Sequence, residues 1–256
     1  IVAEAIQRGV NYFDVAPSYG DGEAEEKLGI ALQPYRNSIF LACKAEKRDA
    51  QGARGQLETT LKRLKTDHVD LYQFHAVKTM EDAKQILGPN GAAEVFTKAK
   101  KDGLARYIGF SAHGIESAKV LMDTMELDSV LFPVNYVNYA EGHFGPQIMD
   151  EAKKRGLARL ALKSLAQTTW KPSEVKTYAK CWYKPIESRQ MAEKALRFTL
   201  SEDITSAIPP GYPQYLRMAM DFASRFEPLS PSERQELLAS ANGVAPIFRE
   251  GSGPAA

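Results

Sequence analysis

Three segments of this chain share one local grammar: a polar helix end, a glycine, then an apolar run. They are IQRGVNYFDV, KKDGLARYIGF and KKRGLARLAL, with Gly9, Gly103 and Gly156 at the turning points. Glycine is the residue that best tolerates the left-handed conformation in which helices end, so each segment reads as a corner from helix into strand. Between the corners the apolar period changes. Leu57, Leu61 and Leu64 in GQLETTLKRL recur at helical spacing, whereas NSIFLACK and HVDLYQFH are short β-prone runs. The pattern predicts strands near 10–15, 39–44, 69–75, 105–111, 130–135, 158–164 and 204–209. Helices are expected near 23–33, 52–65, 92–102, 115–125, 146–155, 188–200, 214–226 and 231–241. Strands that alternate with helices imply a parallel sheet.

The polar residues closing the first three strands are Asp14, Lys44 and His75, 30 and then 31 positions apart. That interval is one strand–helix unit, and its regular advance points to a closed (β/α)8 barrel, a fold of about 250 residues. The chain opens on IVAEAIQRGV, which reads as the end of an amphipathic helix, so the first barrel strand is expected before Ile1. One barrel domain is expected over 1–256, with C-terminal helices within 214–241 and a small flexible tail, EGSGPAA, over 250–256. An open doubly wound sheet is the runner-up, but no G-x-G-x-x-G fingerprint follows any strand.

In a barrel the C-terminal strand ends converge on one face, which would gather Asp14, Lys44 and His75 with Tyr19 in the loop above Asp14. A phenol titrates near 10, and an adjacent ammonium favours its phenolate. Lys44 could supply that charge, Asp14 could keep the lysine protonated and aimed, and His75 could donate a hydrogen bond to a substrate oxygen. Such a set suits acid–base work on a carbonyl or alcohol. Each residue alone has a structural explanation, as a turn cap, a turn aromatic, a strand-end lysine or a core histidine. Their joint occurrence at successive strand ends favours a shared site. His68, His113 and His143 lack companions at metal-ligand spacing and read as structural or solvated.

Composition narrows the partners. The formal net charge of +1 gives no basic excess for nucleic acid, and no run approaches the length of a transmembrane helix. Cys43 and Cys181 stand far apart, which supports neither a disulfide framework nor a metal site. A reducing, cytoplasmic location is the expectation, with an upstream export signal left open. The expected partner is a small-molecule carbonyl compound; the oligomeric state is left open.

The segment GVNYFDVAPSYGDGEAEEKLGIAL, the strand FLACK and the stretch LETTLKRLKTDHVDLYQFH together resemble the aldo-keto reductase family, in the family's order and over nearly the whole chain. That resemblance implies a TIM-type barrel that binds a nicotinamide cofactor in extended form, NADP by family habit with NAD possible, and passes hydride to an aldehyde or ketone. It implies Tyr19 as general acid, Lys44 and Asp14 as the residues that tune it, and His75 as the residue that positions the carbonyl. Cofactor contacts implied by the match are Ser111, Asn135, Lys163, Leu165, Gly211 and Arg217. The family's asparagine after the serine is here Ala112, its frequent glutamine is Tyr136, and its stacking tyrosine is Leu162. The eighth strand, AIPPGYPQYLR, lacks the lysine–serine pair that grips a 2′-phosphate, and Arg217 could do part of that work. Trp170, in a long connection rich in aromatics, is the expected substrate-wall residue, with packing of the loop itself an equal alternative. Two other functions stay open: a non-catalytic nicotinamide-binding regulatory subunit on the same barrel, and a Schiff-base lyase with Lys44 as nucleophile.

Overall fold

The computed structural model describes residues 1–251; the end of the expected tail, 252–256, lies outside the described residues. The described chain divides into two compact units, 1–112 with 116–130, and 113–115 with the described residues from Leu131 onward.

In the first unit, helix α1 (Val2–Gln7) leads into β1 (Tyr12–Asp14), α2 (Glu23–Leu32), β2 (Phe40–Ala45), α3 (Ala50–Leu64) and β3 (Val69–Val77). Then follow α4 (Met80–Leu87), α5 (Ala92–Lys101), β4 (Ala105–Ala112) and all but the first residue of α6 (Ile115–Thr124). The four strands pair in parallel and in chain order. Gly9 and Gly103 carry φ of +89° and +78°, the left-handed corners that the repeated grammar requires. Helix α4 was not expected. It is a short turn of chain nucleated by a capping box, in which Thr79 and Asp82 satisfy each other's backbone donors.

Side chains alternate across each strand. On β3, Tyr72 and Phe74 stack on Phe96 of α5 at 4.3 and 3.7 Å, which turns Gln73 and the residues in phase with it to the other face of the sheet. A bulge interrupts the β3–β4 register between Phe74 and Val77, so His75 and Ala76 leave the ladder at the strand's C-terminal end. Behind the sheet, the buried Glu25 carboxylate of α2 accepts from Thr60 at 2.7 Å and Arg63 at 3.1 Å, and the Cys43 thiol lies 3.4 Å away. This network fastens α2 to α3 and β2, and burial pushes the Cys43 thiol well above its ordinary range, which makes it a structural cysteine.

The second unit holds the larger part of β5 (Ser129–Pro133), then α7 (Tyr136–Ala140), α8 (Pro146–Lys154), β6 (Ala158–Leu162), β7 (Ala166–Thr169) and β8 (Tyr183–Pro185). It closes with α9 (Arg189–Ser201), β9 (Ser206–Ile208), α10 (Pro213–Ala223) and α11 (Pro231–Ala239). The sheet order here is β5, β6, β9, with β6 and β9 parallel. Strand β5 stops at Pro133, short of the expected 135, because Asn135 caps α7 instead of extending the strand. The connection expected between 166 and 185 contains an antiparallel pair, β7 with β8. The core of this unit gathers Leu165, Ile186, Leu196, Phe198, Tyr215 and Phe222.

The contact of α2 with α3 yields a paired prediction. A Cβ on Gly29 would come within 2.4 Å of the Arg63 carbonyl oxygen, whereas a Cβ on Gly55 of α3 would meet nothing. Gly29→Ala is expected to destabilise the protein by about 1–3 kcal/mol in denaturant unfolding, the usual range for overpacking. Gly55→Ala is expected to stabilise it by about 0.5–1 kcal/mol through helix propensity alone.

Candidate active site

Parallel register sets the stagger of the first three strand ends. Asp14 lies opposite Ala42, and Lys44 opposite Gln73, so each successive polar residue stands two residues further along the strands and on the same face. Lys44 is the most deeply placed, with 2% of its side chain exposed, and its ammonium forms a direct ion pair with Asp14 Oδ1. It also donates to the Val15 carbonyl at 3.4 Å. The other carboxylate oxygen of Asp14 accepts from Gln73 Nε2 at 3.1 Å and from the Tyr12 hydroxyl at 3.4 Å. Burial opposes the charge on Lys44, but Asp14 and Tyr19 outweigh it and hold the lysine above its ordinary pKa. A Schiff-base nucleophile needs a free amine, so this environment argues against the lyase alternative.

Tyr19 belongs to the loop after β1. The chain passes through three left-handed residues, Gly20, Asp21 and Gly22, before α2 begins, a turn that the two glycines make accessible. Tyr19 is 44% exposed as a residue; its ring covers the Lys44 ammonium at 5.2 Å from its centroid and meets the His75 ring edge-on at 5.9 Å. The structure therefore brings together all four residues expected to form the site, with the phenol at the open side and the ion pair beneath it.

His75 is fixed from two directions. Arg48 donates to its backbone carbonyl at 2.7 Å and to that of Ala76 at 3.2 Å while pairing with Asp82 at 3.0 Å. The ring's Nδ1 lies 3.1 Å from Glu46 Oε1. Glu46 is held as a carboxylate down to about 2, first by the His75 hydrogen bond and further by Ser18 and Arg48. Burial pushes His75 below its ordinary pKa against the pull of that carboxylate. An ionised carboxylate can only accept, so Nδ1 carries the hydrogen and Nε2 is the nitrogen left for a ligand. His75 consequently donates at Nε2 only as imidazolium, a condition that the spacing of the strand ends did not reveal.

Glu46, Gln73, Arg48 and Tyr12 were missed by the sequence reading. A period-of-two argument would have found three of them: Tyr12 with Asp14, Lys44 with Glu46, and Gln73 with His75 are each two residues apart on one strand or its immediate extension.

The expected cofactor residues divide by their bonding. Ser111, at the end of β4, accepts from the Ala76 amide at 2.6 Å and keeps its own hydroxyl hydrogen to give. Within the second unit, Gly211 is exposed with open space around it, and it precedes α10, whose first turn has no side-chain cap. Arg217 lies on that helix and is exposed. The Lys163 ammonium lies over the Tyr183 ring at 4.5 Å and the Trp182 ring at 5.4 Å, with its backbone at φ +68°. Asn135 has its amide engaged inside the unit. It accepts from Val137 and Asn138 and donates to the Lys163 and Ala166 carbonyls at 2.9 and 2.7 Å, so it clamps the chain after β6 to the start of α7. The Leu165 side chain is buried in the core of the unit. The Trp170 indole donates to the Cys181 carbonyl at 3.0 Å and so packs the β7–β8 hairpin. Among the described residues no cluster is suited to a metal ion, and no helix is long and apolar enough to cross a membrane.

The family model of the Aldo/keto reductase family matches residues 1–221. Among curated proteins, the chain is 27% identical over 239 residues to the uncharacterized oxidoreductase YqkF of Bacillus subtilis (strain 168), spanning 82% of this chain and 76% of that one. It also resembles L-galactose dehydrogenase of Arabidopsis thaliana, at 23% identity over 95% of this chain and 82% of that one. Among solved structures, the holo form of the aldo-keto reductase AKR11C1 from Bacillus halodurans matches with a TM-score of 0.72 at 20% identity, covering 98% of this chain and 88% of that one. An aldo-keto reductase from Klebsiella pneumoniae, solved in complex with NADPH, matches with a TM-score of 0.73 at 18% identity, covering 100% and 88%. These likenesses show the fold, the (β/α)8 barrel expected from the spacing of the strand ends.

The buried ion pair yields a prediction in stability. Asp14→Ala leaves the Lys44 ammonium buried without its counter-charge and is expected to cost about 3–5 kcal/mol. Adding Lys44→Met removes the orphaned charge and is expected to recover most of that loss, which a double-mutant cycle by denaturant unfolding measures directly.

Proposed function

The chain belongs to the Aldo/keto reductase family, and from that premise we propose that it reduces a small aldehyde or ketone at the expense of NAD(P)H, with Tyr19 as general acid. The observation that carries this reading is the phenol of Tyr19 set over a buried, carboxylate-paired ammonium and against the edge of an imidazole.

The bound nicotinamide would supply the hydride to the carbonyl carbon. The chain's own residues handle the proton. As negative charge grows on the carbonyl oxygen, the Tyr19 hydroxyl gives up its hydrogen to it, and the phenolate left behind faces the Lys44 ammonium. Asp14 keeps that ammonium charged through the cycle, and Gln73 and Tyr12 hold Asp14 in place. His75, as imidazolium, donates from Nε2 to the same oxygen and sets its direction.

NADP is the favoured cofactor, in keeping with the NADPH complex of the Klebsiella pneumoniae protein. Taken within each unit by itself, residues of suitable chemistry support this reading. Ser111 has a hydroxyl hydrogen to give to a carboxamide. The uncapped start of α10 after Gly211, with Arg217 one turn on, suits a phosphate group, because helix N-termini present unpaired N–H donors. Lys163 adds positive charge in that unit, while Asn135 acts through the backbone that it holds in place and Leu165 through the core in which it is buried.

Tyr19→Phe is expected to lower aldehyde-dependent NADPH oxidation by about 10²–10⁴-fold, the usual worth of a general acid. Cofactor binding, followed by quenching of the fluorescence of Trp170 and Trp182, is expected to remain. Loss of activity together with binding would point to a damaged fold, and unchanged activity would remove Tyr19 from the mechanism.

A further inference from the structure

The carboxylate of Glu46 touches the one ring whose protonation the reaction depends on, yet the chemistry above gives it no part. Resting on the carbonyl-reductase reading, we propose that Glu46 is a positioning residue for His75. By accepting Nδ1–H it fixes the imidazole with Nε2 toward the substrate oxygen, and its negative charge steadies the imidazolium in which Nε2 carries a hydrogen.

The geometry supports this at three levels. First, Glu46 is itself anchored: its backbone N–H and that of Lys47 both donate to Gln56 Oε1 at 2.9 Å, which ties the chain after β2 to helix α3. Second, the backbone of His75 is already held by Arg48, so the freedom that remains to the residue is rotation of its ring, and the 3.1 Å contact with Glu46 removes it. Third, the charges facing His75 sort into pairs. Lys44 opposes protonation of the ring and Asp14 favours it, but the two are joined in one ion pair, and Tyr19 meets the ring edge-on. Arg48 is paired with Asp82. Glu46 remains as the carboxylate whose charge is not matched by a cation in its own ion pair, and it is in direct contact with the ring. Burial pushes the ring toward its neutral form, so this carboxylate is the group that keeps the imidazolium accessible.

Glu46 also faces water. It lines a polar cleft of about 490 Å³ together with Pro17, Ser18, Asp21, Gln56 and Arg63. The outer side of the histidine–carboxylate pair is thus open to solvent while its inner side faces the phenol, which gives the ring a route to exchange protons between turnovers.

The test is nitrogen-15 spectroscopy of the histidine rings in the full chain, which has four histidines, with a His75→Asn variant to assign the signal. In the wild type, His75 is expected as the Nδ1–H tautomer above its titration. Glu46→Gln keeps an acceptor and should keep the tautomer, but the ring should titrate at lower pH. Glu46→Ala should lose the tautomer as well. The limb of kcat/KM for reduction that rises as pH falls through the His75 titration should move to lower pH in Glu46→Gln. Each unit of that move lowers the neutral-pH rate constant about tenfold. An unchanged tautomer and titration in both variants overturns the proposal whether or not the wild type turns over carbonyls. Changed spectra in a protein that reduces no carbonyl would instead sink the reductase reading and leave the hold of Glu46 on His75 standing.

Discussion

The ion pair between Lys44 and Asp14 is the interaction on which the rest of this site depends. Two charges taken out of water are costly, and their mutual attraction compensates only when geometry and further hydrogen bonds are in place. Here the strand register supplies the geometry, and Gln73 and Tyr12 supply the bonds to the second carboxylate oxygen. The result is an ammonium that stays charged although it is almost wholly buried. A phenol placed over such a group faces a fixed positive charge in a poorly solvated setting, where electrostatic interactions are stronger than in water.

The same site holds a second cation–carboxylate arrangement, of His75 with Glu46, that works in the opposite sense. Lys44 and Asp14 form a closed pair beneath Tyr19, whereas Glu46 stands at the rim with its carboxylate toward both His75 and water. One pair keeps its proton throughout; the other is built to gain and lose one. The bulge at the end of β3 is what makes the second possible. It takes His75 out of the ladder, and the Ala76 amide released by the irregularity finds the Ser111 hydroxyl as its partner.

Much of the fold could be read in the sequence because corners and periods are local. Gly103 and Gly156 mark helix ends wherever they fall, and the seven expected parallel strands appear near their expected bounds. Helix α7 and the β7–β8 hairpin were not legible, since their existence depends on partners distant in sequence. Asn135 caps a helix while clamping carbonyls 28 and 31 positions away, and a short apolar run before it reads as strand in isolation. The four site residues were legible through their spacing and their likeness to a family. Arg48 was not, because a base in the loop after a strand looks like ordinary solvated charge until the carbonyls that it holds are known.

The central claim is that Tyr19 protonates a carbonyl oxygen as hydride reaches its carbon. Its most direct measurement is the mass of the alcohol formed when the protein is given a simple aldehyde and NADPH deuterated at the transferring position of the nicotinamide C4. The account predicts one deuterium in each alcohol formed by the wild type, and almost no alcohol from the Tyr19→Phe variant under the same conditions. Unlabelled product, or labelled product formed equally fast without the phenol, would contradict it.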